Sequence, residues 1–133
     1  MTSPADVARR VFAAVEARDL EALLDCYDTD VEIVEAASLP YGGTYTGRDA
    51  FLGDLLQQML AAFELGLEDA RTIDGGDAVV GQMTCVFTSR KTGKALRMPY
   101  VEVYGFEDGL IRTVDVYPKD TSAMVEFMER ETA

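Results

Sequence analysis

The apolar residues of this chain shift near residue 63 from mostly helical spacing to a long run of strand-like segments, and that shift limits the possible folds more than any other feature. Before residue 63, apolar side chains recur mostly at helical spacing. Beyond it, FELGLEDARTI (63–73), DAVVGQMTCVFTSR (77–90), ALRMPYVEVYGF (95–106) and LIRTVDVY (110–117) read as strands. The separators Gly75-Gly76-Asp77, Lys91-Thr92-Gly93-Lys94 and Glu107-Asp108-Gly109 are short hairpin turns, so these strands run antiparallel. Helices followed by a meander make an α+β domain, with three N-terminal helices packed on one face of a curved antiparallel sheet. Such a sheet encloses a cone, its narrow end core and its wide end a pocket.

The helical half carries its own punctuation. Ser3-Pro4-Ala5-Asp6 is a helix start: a hydroxyl N-cap, proline at the first helical position and an acid near the N-terminal dipole. Val7, Val11, Ala14 and Val15 then mark one apolar face. Asp19 caps a second helix, LEALLDCY, with Leu20, Leu23, Leu24 and Tyr27 facing inward. A strand follows at 31–35. After the Pro-Tyr-Gly-Gly loop, GRDAFLGDLLQQMLAAF returns to helical spacing through Phe51, Leu52, Leu55, Leu56, Met59 and Leu60. Asp120 caps a terminal helix, TSAMVEFMER.

Composition narrows the chemistry. A length of 133 residues, with 48% apolar content and no repeat, fits a single domain over 1–133. The formal charge of −12 repels nucleic-acid phosphates and anionic lipid, so neither is an expected partner. MTSPADVARR has no apolar signal core, which places the chain in the cytoplasm by expectation. Cys26 and Cys85 lack metal or redox spacing, and histidine is absent, which excludes imidazole-based nucleophile systems. No metal or cofactor is expected. Acid/base work must rest on Asp, Glu, Tyr, Lys or Cys.

Strand alternation selects the candidates. Met98, Tyr100, Glu102, Tyr104 and Phe106 share one face of their strand, and Pro99, Val101 and Val103 share the other. With the first set inward, aromatic and thioether neighbours raise the Glu102 pKa and leave it a protonated donor, with Tyr104 a second donor on the same face. The opposite parity would bury Val101 and Val103 and leave Glu102 in water. On the next strand Met83, Cys85 and Phe87 line the interior, a wall suited to a flat apolar ligand. Glu35 ends the 31–35 strand. It lies three residues from Glu32, so only one of the two enters the pocket, and an inward Glu35 without a nearby cation becomes a base titrating towards neutrality. Tyr41 and Tyr45, in the loop 39–45, offer phenols at the pocket rim, or else cover the core as part of a rigid connector.

The stretches FAAVEARDLEALLDCYDTDVEI, GRDAF and YVEVYGFEDGLI, in this order and spacing, resemble the SnoaL-like and ketosteroid-isomerase-like superfamily, also called nuclear-transport-factor-2-like. The resemblance spans nearly the whole chain and implies a cystatin-like α+β barrel. It favours the parity that turns Glu102 inward, and adds Val114 and Val116 to the pocket wall. Ketosteroid isomerase pairs a carboxylate base with an oxyanion hole of a tyrosine and a protonated acid. By spacing, the base falls on Glu35 and the acid on Glu102. The tyrosine falls on Val11, a departure that removes a donor worth a hundredfold or more in rate, roughly. With Glu102 inward, the Val101 and Val103 face needs cover, and a second copy of the chain is the simplest cover.

Three functions remain open at this point. The first is an isomerase, cyclase or dehydratase acting on a hydrophobic carbonyl compound, with Glu35 as base and Glu102 and Tyr104 stabilising the oxyanion. The second is a non-catalytic homodimeric ligand-binding or interaction module. The third is water activation by the two carboxylates, as in an epoxide hydrolase.

Overall fold

The structure, a computed structural model, describes residues 2–133. Helix α1 (Pro4–Ala17) starts at the expected capping box, in which Ser3 and Asp6 exchange side-chain-to-backbone hydrogen bonds. It stops at Arg18, whose left-handed backbone (φ 56°) turns its N–H back onto Ala14 and Val15 carbonyls. Asp19 caps α2, which spans only Leu20–Leu24. The helical pattern was expected to run to Tyr27. Instead Tyr27 opens strand β1 (Tyr27–Glu35), because the Cys26 carbonyl accepts from Ile111 N–H and Tyr27 pairs with Ile111 far along the chain. Leu20 is consequently exposed rather than inward.

The loop after β1 contains a short edge strand, β2 (Gly43–Thr46), which the sequence did not suggest; it pairs antiparallel with β1 from Glu35↔Gly43 to Glu32↔Thr46. The next helical segment comprises α3 (Arg48–Ala50), a π-helical stretch (Phe51–Leu56) and α4 (Gln57–Ala62). The wider π turn brings Phe51, Leu55 and Leu56 to one buried side. Strands β3 (Phe63–Asp74), β4 (Ala78–Ser89), β5 (Ala95–Glu107) and β6 (Leu110–Pro118) follow, then α5 (Thr121–Thr132), capped by Asp120 as expected.

The sheet order is β2-β1-β6-β5-β4-β3. Neighbours are antiparallel, as the hairpin turns require, except that β1 and β6 run parallel. No hairpin joins that pair, so no local turn signal could set its direction. The sheet curves without closing, and β2 and β3 are its edges. Its concave face holds Tyr104, Phe87 and Ile111 fully buried, with α1 laid across it through Val11 and Phe12. Helix α5 packs Phe127 on Phe63 (5.8 Å between ring centroids) and Met124 near the Tyr100 hydroxyl. Its buried Glu131 accepts a hydrogen bond from Thr92 in the β4–β5 turn. None of the described helices is long and apolar enough to cross a membrane.

Gly42 shapes the loop that leads into β2. A Cβ there would lie 2.4 Å from the Ala36 carbonyl oxygen and 2.6 Å from that of Ala37, both fixed backbone atoms. Gly42→Ala should therefore destabilise the domain by about 1–3 kcal/mol, read as a lower urea midpoint with an unchanged slope.

Candidate active site

Strand register brings the two glutamates into one row. Val34 pairs with Asp115, so Glu35, the next residue, runs alongside Val116; Val116 in turn pairs with Glu102. Glu35 and Glu102 thus project from strands on either side of Val116, their backbones roughly 10 Å apart across two strand spacings. The concave curvature turns both side chains into one cavity of about 120 Å³. Glu32, three residues back, is exposed, as the alternation requires.

The cavity has a sheet wall and a helix wall. On the sheet side it meets Glu35, Glu102, Cys85, Phe87, Tyr100, Val114 and Val116, all expected from the sequence. On the helix side Val11, Phe12, Phe51, Leu55 and Leu56 form a roof. The sequence marked most of these roof positions as apolar helix faces, but periodicity does not separate a side chain over a cavity from one in solid core. No lysine or arginine lines the space. Among the described residues no three acidic or cysteine side chains gather as metal ligands would.

Five expected residues lie elsewhere. Tyr41 is buried rather than at a rim, and its hydroxyl has no hydrogen-bond partner. Tyr45 donates its hydroxyl to the Tyr41 carbonyl (2.8 Å) and braces the loop. Met83 and Met98 are buried but contribute to the core rather than to the cavity wall. Tyr104 is fully buried behind Glu102 and spends its proton on that residue, donating to Oε1 at 2.6 Å. It therefore positions Glu102 and has no donor left for a ligand. Tyr100 is the phenol that reaches the cavity; its hydroxyl contacts Met124 Sδ at 3.6 Å and lies near the Tyr41 hydroxyl.

The two carboxyl groups differ in their partners. Glu35 is 7% exposed, and its Oε2 accepts no hydrogen bond. Loss of hydration, reinforced by the charge of Glu102, pushes its pKa up to about 8. Glu102 is half-buried and lines the cavity. Desolvation raises its pKa also, while the Tyr104 hydroxyl opposes that rise by stabilising the ionised form. Tyr104 thus favours the ionised form of Glu102, while Glu35 has no such donor. Cys85 and Tyr100 are pushed upward as well, chiefly by burial, and stay neutral.

A curved sheet roofed by helices over an apolar, acid-bearing pocket is the architecture of nuclear-transport-factor-2-like, cystatin-like proteins. The chain belongs to the SnoaL-like domain family, which it matches over residues 8–114. A nuclear-transport-factor-2-like protein of Burkholderia thailandensis E264 superposes with a TM-score of 0.84 at 24% identity, covering 96% of this chain and 98% of that one. A candidate polyketide cyclase of Pseudomonas putida KT2440 gives 0.83 at 18% identity, with 95% and 98% covered. A cystatin-like protein of Xanthomonas campestris gives 0.78 at 23%, with 92% and 95% covered. At these identities the likeness establishes the fold. No curated protein matches the sequence.

The raised pKa of Glu35 has a definite effect on stability. The native state holds a proton that the unfolded chain releases near 4.5, so this residue's contribution is complete below that pH and is lost as pH rises to about 8. Glu35→Gln should remove that loss. The stability difference between variant and wild type should grow by roughly 3–5 kcal/mol in favour of the variant between pH 4.5 and 9, followed by urea unfolding across that range.

Proposed function

We propose that the cavity carries out cofactor-independent proton transfer, of the isomerase, cyclase or dehydratase type, on a hydrophobic compound with a carbonyl group. Family membership and the architecture shared with candidate polyketide cyclases support a small-molecule role of this kind. The observation that carries the proposal is the unequal carboxyl pair in an apolar space without cations. Glu102, its ionised form favoured by Tyr104, takes a proton from the carbon beside the carbonyl. Glu35, neutral below about pH 8, gives its proton to the carbonyl oxygen. These roles are the reverse of those implied by the family resemblance. The reason is the single hydrogen bond to Glu102, which Glu35 lacks.

The two assignments predict opposite pH limbs. With Glu35 as the acid, kcat/KM for a converted substrate should fall above about pH 8, where that proton is lost. A rate that instead rises through pH 8 would restore Glu35 to the role of base. Glu35→Gln should lower kcat by on the order of a hundredfold or more while the domain stays folded, and undiminished turnover would remove Glu35 from the mechanism.

A second reading rests on two orphaned atoms. Glu35 Oε2 and the Tyr41 hydroxyl are both buried and unpartnered, and the Glu35 charge is close enough to perturb Tyr41. A water accepting from Tyr41 and donating to Glu35 would satisfy both, and would be available to attack an epoxide. Labelled water distinguishes the two, because only hydrolysis leaves a solvent oxygen in the product.

The same proposal includes a homodimer. Val101 and Val103 lie on the convex face of β5, and the exposed Tyr117 is paired with Val101 on β6. A second copy is the cover we propose for this face. Sedimentation equilibrium should give twice the mass of the chain, and Val101→Asp should return it to the mass of one.

A further inference from the structure

The cavity is small for the substrate class proposed above. About 120 Å³ holds only a few heavy atoms, whereas sites for metabolites usually measure about 300–1,000 Å³. A groove of about 310 Å³ lies against it, and Val15, Leu23, Leu56 and Leu65 line both spaces. These four side chains form the partition, and cavity and groove together reach the usual range. Leu56 belongs to the π-helical stretch, a geometry found frequently at functional sites. Leu20 and Leu60, two of the few large apolar side chains left exposed anywhere on the surface, both line the groove. Such exposure is consistent with an apolar ligand segment running along it.

A pair of cations, Arg18 and Arg90, lines the groove, in a chain with 12 basic and 24 acidic residues. Arg18 and Arg90 flank Glu64, each with a guanidinium nitrogen 3.6 Å from one of its carboxylate oxygens, longer than a hydrogen bond. Arg90 is fixed from behind: its Nε donates to the Leu60 carbonyl at 2.7 Å and its backbone N–H to that of Ala62. Arg18 is the left-handed residue that ends α1. The groove's other acid, Asp19, is engaged with the α2 N-terminus through the Ala22 N–H. Two arginines thus face one loosely held, exposed carboxylate. Exposed ion pairs of this kind contribute little, so another carboxylate can displace Glu64 at small cost. A ligand carboxylate held in hydrogen-bonded, forked geometry would be bound more strongly than Glu64 is.

We propose that this groove is the outer half of the binding site and that it takes the carboxylate tail of an elongated apolar acid. The tail lies between Arg18 and Arg90, the apolar segment passes Leu20, Leu23 and Leu60, and the reacting end enters the cavity beside Glu35 and Glu102. The substrate class is accordingly an apolar keto acid rather than a neutral polycyclic compound. This rests on the cavity being the reactive end, but its test does not depend on turnover.

The test compares octanoate with octan-1-ol, two probes of equal chain length, by NMR titration of the wild-type protein at pH 7.5. Octanoate should bind roughly five- to tenfold more tightly. The Arg18→Gln/Arg90→Gln double variant should abolish that preference and leave the octanol affinity unchanged, which also shows that the site is still folded. Each single variant should remove part of the preference. Equal affinity of acid and alcohol in the wild type overturns the proposal, as does a preference that survives in the double variant. Glu35→Gln should leave the preference intact, so failure of the catalytic assignment and failure of this one give different results.

Discussion

Desolvation of two carboxyl groups in one apolar space is the cost around which the rest of this structure is arranged. A carboxylate moved out of water without a cation gives up hydration that only hydrogen bonds can partly replace. Every element near the cavity bears on that balance. The parallel β1–β6 pair and the antiparallel β6–β5 pair set Glu35 and Glu102 on one concave face. Aromatic and aliphatic side chains from α1 and the π-helical stretch close the space above them. Arginines are present at the surface, where they pair with acids such as Glu64 and Glu68, but none enters the cavity. An arginine there would hold both carboxyls ionised and leave no proton to transfer.

With the cation absent, a single hydrogen bond separates two otherwise similar residues. Tyr104 and Glu102 are two apart on one strand and so share a face, and the phenol donates to Glu102 from below the cavity. Glu35 has no such donor on either neighbouring strand, and Val116 stands between it and Glu102. The asymmetry is therefore a product of strand pairing. The catalytic roles that follow on our proposal owe more to which carboxyl has a donor than to how deeply each is buried.

Much of this was legible in the sequence, for reasons that can be named residue by residue. Ser3, Asp19 and Asp120 announce helix starts through short-range hydrogen bonds, and the glycine turns announce hairpins. Period-two alternation was enough to set Glu32 and Glu35 on opposite faces, and the family resemblance favoured the parity of β5 that the structure has. What escaped depends on partners distant in the chain. Tyr27 leaves its helix for Ile111, and β2 is a four-residue edge that exists only because β1 offers it a partner. The loop tyrosines were open between a rim and a core-covering role, and the course of the loop, which composition does not encode, decides for burial at Tyr41. Nor does a sequence distinguish the roof residues Phe51 and Leu55 from ordinary core, since both uses call for the same apolar face.

The substitution that most separates this chain from the isomerase pattern acquires a physical meaning once the cavity is described. Val11, at the position where the resemblance expects a phenol, does line the space, so the wall there is apolar and donates nothing. Tyr100 is the phenol that remains on the wall, its own acidity suppressed by burial. A phenol of that kind can hold a hydrogen bond to an oxyanion but is too weak an acid to surrender its proton. A carboxylic acid with a pKa near 8 can surrender it, because it is a stronger acid than the enol that the transfer forms. On the proposed roles, an apolar residue in place of the phenol and a carboxylic acid as the donor favour completing the proton transfer, to give a neutral enol, over stabilising an enolate. That intermediate needs no oxyanion hole, because its oxygen carries no charge to be stabilised.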